Sequence, residues 1–554
     1  MSPIRPCSLW MAAQSLVIFI CSGISLAADR HYKGAGTEMN PMDGSWRTAG
    51  HWTENMAAPS NESTRLFFKV GTNDYTATNN VNQPPFKLTE INIDAANAQK
   101  TGKIAGQPLQ FYNDPLNNND PPLISVTGAG SFEILSRQII TNARLSIAGN
   151  GTGRVTIGGP DTGWLRGDGQ LVLNTTATVR LAGNRHNTLA APFDYSYIVT
   201  RGVLELAKDE NKTALHEEDF SAGLRIGDAQ GVAATVKWLA NHQADDQLFV
   251  SLGGSGVMDL NGKTEKLGDI NAGFGGSSTE IRLGAGTLTV GTNHLSDAVN
   301  FVTSKLTGTA DSSIIKTGQK WTLDYFGDGS GFLGSVDVQR GEFGVTKSFL
   351  GLPAFPGVLG KDEEGKRCKQ VTVQRGARIS GDGTINCKVE GPGDIGKGLN
   401  IKPGGRAMPK GGSPGVLSAL EVQFDPGSFL EIEIDESAPT DHPDYSQLHI
   451  LGGDAIIADS YLQILLSSPP ELDKEYMILQ NDGGSSVMGT FAGKGQGDYL
   501  TAYYQDAVPY IFQIDYYGGD GNDVVLTHVA TPEPASATLV LLGLTLASVR
   551  RRRS

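Results

Sequence analysis

Adjacent carboxylates close to a histidine are the residues of this chain best suited to acid–base chemistry. Asp245 and Asp246 are neighbours, and His242 lies just before them. Paired carboxylates of this kind cleave glycosidic bonds as general acid and base. A solvated turn accounts for the same residues, and neither a Gly-x-Ser-x-Gly elbow with a triad nor a His-Glu-x-x-His motif is found. We predict no catalytic residues, with a polysaccharide lyase or hydrolase as an alternative.

A second motif of possible chemistry lies near the end of the chain. The stretch from Gly518 to Leu526 fits the calcium-binding nonapeptide G-G-x-G-x-D-x-U-x. Calcium takes about six to eight oxygen ligands, and a single turn supplies only part of that set. The sequence therefore favours a tight turn between the last two strands. Asp520 and Asp523 are kept as metal candidates for a calcium-dependent adhesin, and no other cofactor is predicted.

The tripeptide Arg166-Gly167-Asp168 spells an integrin-binding motif. Gly-Asp is ordinary turn chemistry, so a turn is the favoured interpretation.

The overall charge limits the classes of partner. The chain has 554 residues, 71 glycines and a formal net charge of −14. Such an acidic chain is a poor ligand for the phosphates of nucleic acid, so no nucleic-acid partner is predicted. Neutral glycans need no charge complement and stay among the candidate ligands.

The first residues are typical of a secretory signal peptide. Arg5 supplies a positive start, Leu16 to Ile20 form the centre of an apolar stretch, and Ser25-Leu26-Ala27 offers small residues for cleavage. We predict that residues 1–27 are removed after Ala27 and that the chain is exported.

The last residues form three consecutive parts of a sorting signal: a Pro-Glu-Pro triplet, a short apolar run and an arginine cluster. The apolar run is shorter than a full membrane span, and the arginines favour the cytoplasmic side. The order resembles the PEP-CTERM signal of Gram-negative bacteria, which implies cleavage by an exosortase-type membrane protease. An uncut membrane anchor is the alternative. The predicted sorting residues are Pro532, Glu533, Pro534, Arg550, Arg551, Arg552 and Arg553.

Two of the four cysteines stay in the mature chain. Cys7 and Cys21 leave with the signal peptide, whereas Cys368 and Cys387 remain in an oxidising compartment. We predict a disulfide between them that closes a loop of about 18 residues. A metal site is disfavoured because no histidine is near the pair.

A short template recurs through the body of the chain: glycine, any residue, apolar, any residue, apolar. Copies begin at Gly130, Gly153, Gly169 and Gly202. The alternation places both apolar residues on one face of a strand. Such units bury their apolar faces by stacking on one another, so the pattern predicts an all-β parallel solenoid (β-helix) with irregular rungs. A pair of β-sandwich domains is the alternative.

Several longer segments resemble autotransporter-associated β-strand repeats. They include Val179–Asn184 followed by Tyr197–Leu206, Ile314–Val345 and Gly256–Gly262. The tryptophans Trp46 and Trp52 resemble the N-terminal motif of that family. The resemblance implies a β-helical surface protein and does not imply an enzyme.

Together these patterns predict a chain of five segments. They are a signal peptide (1–27), an irregular N-terminal β region (28–120), solenoid repeats (121–402), a C-terminal β region continuing the repeats (403–530) and the sorting signal with its short transmembrane helix (531–554). The expected function is structural or adhesive, at the cell surface or in the extracellular matrix, with an extracellular polysaccharide as partner.

Overall fold

The computed structural model describes residues 28–530 except 142, 160–163, 191–194, 217–222, 229–230, 273–277, 292–297, 320, 348–354, 392–398, 404, 407–411, 439–442 and 506–507. The protein is all-β: the described residues contain strands, one short 3₁₀ helix at Ala49–His51 and no α-helix. The first strands are β1 (Ala28–Tyr32), β2 (Gly44–Ser45), β3 (Thr64–Lys69), β4 (Tyr75–Asn79), β5 (Phe86–Leu88), β6 (Glu90–Ala95), β7 (Thr101–Gly106), β8 (Leu109–Phe111), β9 (Leu123–Gly128), β10 (Ser131–Ile134), β11 (Gln138–Ile140), β12 (Arg144–Gly149), β13 (Arg154–Ile157), β14 (Leu165–Gly167), β15 (Gln170–Gly183), β16 (Thr188–Leu189) and β17 (Tyr195–Lys208).

The middle of the chain continues as short strands of similar length. They are β18 (Gly223–Ile226), β19 (Ala233–Trp238), β20 (Phe249–Leu252), β21 (Ser255–Asp259), β22 (Glu265–Leu267), β23 (Asp269–Ala272), β24 (Glu280–Arg282), β25 (Thr287–Val290), β26 (Ala298–Val302), β27 (Lys305–Gly308), β28 (Ser313–Lys316), β29 (Trp321–Tyr325), β30 (Asp328–Gly329), β31 (Gly331–Phe332), β32 (Ser335–Val338), β33 (Gly341–Val345), β34 (Val358–Leu359), β35 (Gln370–Val373), β36 (Ala377–Gly381), β37 (Thr384–Glu390) and β38 (Asn400–Pro403).

The last strands are longer on average. They are β39 (Gly405–Arg406), β40 (Gly412–Ser413), β41 (Val416–Gln423), β42 (Phe429–Ile434), β43 (Gln447–Ile450), β44 (Ala455–Ile456), β45 (Tyr461–Leu466), β46 (Glu475–Asn481), β47 (Tyr499–Tyr504), β48 (Val508–Gly518) and β49 (Asp523–Ala530).

Most strands belong to one large, mostly parallel sheet in which partners are separated by a similar length of chain. Strand β3 pairs in parallel with β1 on one side and β6 on the other, and β25 pairs in the same way with β22 and β28. We call such a series of paired strands a column. A second, five-stranded parallel sheet has the order β16-β14-β11-β8-β5. The pairing crosses residues 120 and 403, where the sequence suggests segment boundaries.

The core consists of apolar side chains stacked from strand to strand, as the glycine template predicts. In β10, β13, β15, β17 and β19 the residues at one register position are all buried and apolar. Each side chain covers the one before it, so the core is continuous along the stack. The series is Phe132, Val155, Val179, Leu204 and Val236.

At the N-terminal end, the chain folds back over the outer edge of β1. The amide of Thr53 donates to the carbonyl oxygen of His31 over 2.9 Å, and the amide of His31 donates to the carboxylate of Glu54 over 3.2 Å. Trp46 and Trp52 are fully buried beneath this segment. The open edge of the first strand is therefore covered, which blocks pairing with another strand.

At the C-terminal end, the direction of pairing changes. Strands β46, β48 and β49 pair antiparallel with one another in the order β46-β49-β48, and β47 pairs antiparallel with β48. Antiparallel hairpins end a stack of parallel strands because the next strand no longer follows the same direction.

The two cysteines of the mature chain form a disulfide in the structure. Their Cα atoms are 5.2 Å apart, and both side chains are buried. Cys368 precedes β35, and Cys387 lies within β37, which pairs with β35. The bond therefore joins the segment that leads into β35 to the middle of β37, the strand that pairs with β35.

Among the described residues, no helix has the length and apolar character needed to span a membrane. The predicted signal peptide with Ala27, and the predicted sorting tail with Pro532, Glu533, Pro534, Arg550, Arg551, Arg552 and Arg553, lie outside the described residues.

Candidate functional site

The five-stranded sheet presents one face to solvent and the other to the core. Because side chains alternate along a strand, one register position is buried in four of the five strands, with Leu88 in β5, Phe111 in β8, Ile140 in β11 and Leu189 in β16. In β14 this position is the half-buried Gly167. The position before it faces outward. The outward residues are Lys87, Gln110, Ile139, Arg166 and Thr188.

Just before these strands, an outward row of cationic and aromatic side chains runs across the sheet. The pairing of β11, β14 and β16 places Arg137, Trp164 and His186 at equivalent positions. The guanidinium carbon of Arg137 lies 5.2 Å from the ring centroid of Trp164, and that of Arg185 lies 4.8 Å away. Cation–π attraction and stacking hold both guanidinium groups against the indole.

A groove of about 510 Å³ lies beside this row. Its described lining includes three permanent cations, Arg166, Arg185 and Lys212, and no carboxylate. The other lining residues are Trp164, Asn184, His186 and Thr188. In a chain with a net charge of −14, this concentration of positive charge makes the groove electrostatically suited to an anionic ligand.

Two other grooves have linings of mixed charge. Within one of them, Arg65 pairs with Asp114 over 3.1 Å and with Glu90 over 3.5 Å, so its charges compensate each other. The charged residues lining the other are Glu38, Lys69 and Asp94, together with His31. We compare the three grooves by the described residues that line them. Among the three, only the groove beside Trp164 has several cations, an aromatic side chain and no acidic residue in its described lining.

His186 lies at the inner end of the groove and is held by Thr213. Its Nδ1 atom accepts a hydrogen bond from the Thr213 amide over 3.2 Å and lies 2.9 Å from the Thr213 hydroxyl. Burial lowers the pKa of His186, and the neighbouring charges of Lys212, His216 and Lys208 lower it further. The ring is therefore neutral at pH 7, with the proton on Nε2.

The carboxylate of Asp245 pairs with His216, a histidine that the sequence did not associate with it. The two side chains approach to 3.0 Å, and the His216 ring lies 5.6 Å from that of His186. The hydrogen bond to His216 lowers the pKa of Asp245. Asp246 instead lies 3.7 Å from Lys266. The sequence neighbour His242 has left-handed backbone geometry in a turn, as the solvated-turn interpretation suggests.

The calcium-like motif forms the tight turn between β48 and β49. Gly518 pairs with Asp523, and the Asp523 carboxylate is buried and accepts a hydrogen bond from the Asn481 amide over 2.7 Å. Asp520 is exposed at the turn. Within the described ranges, no group of three or more His, Cys, Asp or Glu side chains is placed to hold a metal ion. The hydrogen bond from the Asn481 amide to Asp523 therefore connects the last hairpin to the end of β46.

The sequence does not predict the groove, although one of its residues belongs to a recognisable sequence motif. Arg166 begins the Arg-Gly-Asp tripeptide, and in the structure its exposed side chain lines the groove at the end of β14. Trp164, Arg185 and Lys212 belong to no motif. The only sequence signal is that the register position before β11, β14 and β16 holds a basic or aromatic residue, whereas proline precedes β5 and β8.

Neither a protein-family model nor a curated protein sequence matches this chain. The geometry of the groove therefore carries the functional argument. Its cations can bind carboxylate or sulfate groups, and its amide, hydroxyl and imidazole groups can bind hydroxyls.

Proposed function

We propose that this protein is an exported surface or matrix protein, built as a parallel β-solenoid, that binds an extracellular polysaccharide. Its role is structural or adhesive. The observation that carries the proposal is the groove beside Trp164, which has hydrogen-bonding and cationic side chains in a solvent-facing position.

The solenoid part of the proposal is supported by the regular parallel pairing. Each strand of a column pairs with the strands one repeat earlier and later, and the apolar side chains follow the same register. A solenoid forms when a chain coils so that each repeat contacts only its neighbours. A β-sandwich would require mainly antiparallel pairs of strands. Among the strands of the described residues, such pairs are confined to the C-terminal hairpins and to two strands near residue 410.

A retention assay tests the binding part of the proposal. The chain, expressed with its signal peptide and purified, is passed over immobilised bacterial and algal polysaccharides. We expect retention on at least one polymer and loss of retention when Trp164 is changed to alanine. Tyr499→Ala removes an exposed aromatic side chain from β47, outside the five-stranded sheet, and is the control. Equal loss from both variants, or no retention on any polymer, would contradict the proposal.

The sorting part of the proposal predicts two membrane-linked steps: cleavage after Ala27 and recognition of Pro532-Glu533-Pro534 by an exosortase-type protease. Glu533→Ala should leave an uncut, membrane-associated form, whereas Glu475→Ala should be processed normally. The mass of the C-terminal peptide and the yield in the medium distinguish the two. Normal processing of Glu533→Ala would exclude the sorting mechanism.

A polysaccharide lyase or hydrolase is the second candidate, favoured by one observation. The Asp245 carboxylate orients His216 close to the cationic groove, which is an arrangement suited to proton abstraction. Release of reducing ends or unsaturated products during the retention assay would support this candidate. Retention without release supports the adhesive role.

A further inference from the structure

We infer that the groove beside Trp164 binds a linear acidic polysaccharide, whose anionic groups lie along the stacking direction of the strands. This inference rests on the proposed function and adds the chemical class of the ligand. Its anionic groups are carboxylates or sulfates, which share the same recognition by guanidinium and ammonium groups.

The first support is the arrangement of the cations. Arg166 lies in β14, and Arg185 lies before β16, the strand that pairs with β14. Lys212 lies in the repeat that follows β16. The carbonyl oxygen of its neighbour Thr213 accepts a hydrogen bond from the Asn187 amide, which places the two repeats side by side. Strands paired in a sheet are about 4.8 Å apart. The positive charges are therefore repeated along the stack, one for each repeat. A small anion would contact one or two of them, whereas a linear polymer of acidic sugars contacts them all.

The second support is the fixed orientation of the guanidinium groups. Arg137 and Arg185 both lie over the indole of Trp164, at 5.2 and 4.8 Å. A guanidinium stacked on an aromatic ring is already ordered, so it loses less side-chain entropy when an anion binds. Trp164 is thus a positioning residue for the cations.

The third support is a buried acceptor that lacks a donor. The side-chain oxygen of Asn184 lines the groove and has no hydrogen-bond partner among the described residues. An anion without a proton, such as sulfate or a carboxylate, cannot donate to it, whereas a sugar hydroxyl can. The neutral imidazole of His186 offers the complementary donor at Nε2. The groove therefore suits a ligand that carries both anionic groups and hydroxyls.

The acidity of the rest of the protein restricts the ligand further. With a net charge of −14, the chain repels extended polyanions that would contact much of its surface. A linear polymer of singly charged sugars can lie in the groove without contacting the rest of the surface.

The test uses the full chain and four immobilised polymers. They are polygalacturonate (carboxylates on sugars), dextran sulfate (sulfates on sugars), dextran (no charge) and poly-glutamate (carboxylates without sugars). We expect retention on polygalacturonate or dextran sulfate, with the preferred polymer identifying the anionic group. Retention should weaken with added salt, because salt screens the charges.

Variants locate the binding to the groove. Arg166→Ala and Lys212→Ala should each weaken retention on the order of tenfold, the effect of losing one charge-assisted hydrogen bond. Arg225→Ala removes an equally exposed cation from another column and should have no effect. Asn184→Leu should reduce the preference for sugar polymers over poly-glutamate. Unchanged melting temperatures show that the variants are folded.

The outcomes separate this inference from the proposed function. Equal retention on dextran and polygalacturonate would overturn the acidic ligand and leave polysaccharide binding intact. Equal retention on poly-glutamate would overturn the sugar requirement. Equal effects of Arg166→Ala and Arg225→Ala would overturn the groove as the site. No retention on any polymer would contradict both proposals.

Discussion

At the residue scale, two lysines buried in the stack differ in how their charges are compensated. The amino group of Lys208 is buried and has no hydrogen-bond partner in the part of the chain that is described. That of Lys316 donates to three carbonyl oxygens, of Thr317, Gly318 and Arg340, over 2.5 to 3.0 Å. Burial lowers the pKa of each to about 7. The buried amino group of Lys208 is therefore expected to lower the stability of the fold, whereas that of Lys316 is expected to stabilise it.

Replacing these lysines should change stability in opposite directions. Lys208→Met keeps the apolar stem and removes the buried amine, so we expect the free energy of unfolding to rise by about 1–4 kcal/mol. Lys316→Met leaves three carbonyl oxygens without their donor and should lower it by about 1–3 kcal/mol. Urea unfolding at pH 7 measures both. A loss of stability in Lys208→Met would contradict the prediction.

The lowered pKa of Lys208 also predicts how stability depends on pH. An ordinary lysine titrates near 10.5, whereas Lys208 titrates at about 7 in the folded state. Between these values the unfolded state holds the extra proton, so raising the pH from about 7 to 10 stabilises the fold. Lys316 contributes in the same direction. Urea midpoints should therefore rise over this range, and less steeply in Lys208→Met. An unchanged slope would contradict the assignment to Lys208.

If the groove binds an acidic polymer as proposed, His186 should make that binding depend on pH in a different range. The pKa of His186 is lowered by burial and by the charges of Lys212, His216 and Lys208, while Asp245 acts in the opposite sense. As the pH falls below 7, His186 gains a charge beside the cations, so retention on an acidic polymer should increase. His186→Gln should flatten the dependence of retention on pH. The control is His449→Gln, which removes a histidine paired with Asp482 elsewhere and should leave this dependence unchanged. Identical profiles for the two variants would exclude His186.

At the element scale, the alternation of single strands was predictable and the groove was not. The template around Phe132 and Val155 predicts which side chains point inward, because that depends only on alternation within one strand. The groove instead depends on which strand pairs with which. Trp164 meets His186 only because the intervening loops set the register of β14 and β16, and loop lengths leave no periodic signal in the sequence.

The disulfide is the covalent link between elements and should contribute to stability through the unfolded chain. Cys368 and Cys387 are 19 residues apart and close a loop that contains β35 and β36. In the chain-entropy model such a loop contributes about 3 kcal/mol. We expect the double Cys→Ser variant to lose about 2–4 kcal/mol in urea unfolding, and reduction of the wild-type protein to give the same loss. An unchanged midpoint after verified reduction would contradict this.

At the scale of the whole molecule, a long stack of parallel strands has two ends that could pair with other chains. The N-terminal end is covered by residues 51–54, and the C-terminal end is closed by antiparallel hairpins. Exposed edges of this kind lead to end-to-end association unless they are covered. Within the described residues, both ends of the stack are therefore covered against pairing with another chain.

Opening the N-terminal end should convert this limited stack into one that associates. Trp52 is fully buried, donates from Nε1 to the Trp46 carbonyl oxygen over 3.0 Å, and packs 5.4 Å from Tyr32. Trp52→Ala should release the covering segment and expose β1, so the mass measured by light scattering should rise with concentration. Trp238→Ala removes an equally buried tryptophan from a strand paired on both sides, and should lose stability by about 3–5 kcal/mol without exposing an edge. Association of both variants to the same extent would show that lost stability, and not the opened edge, is the cause.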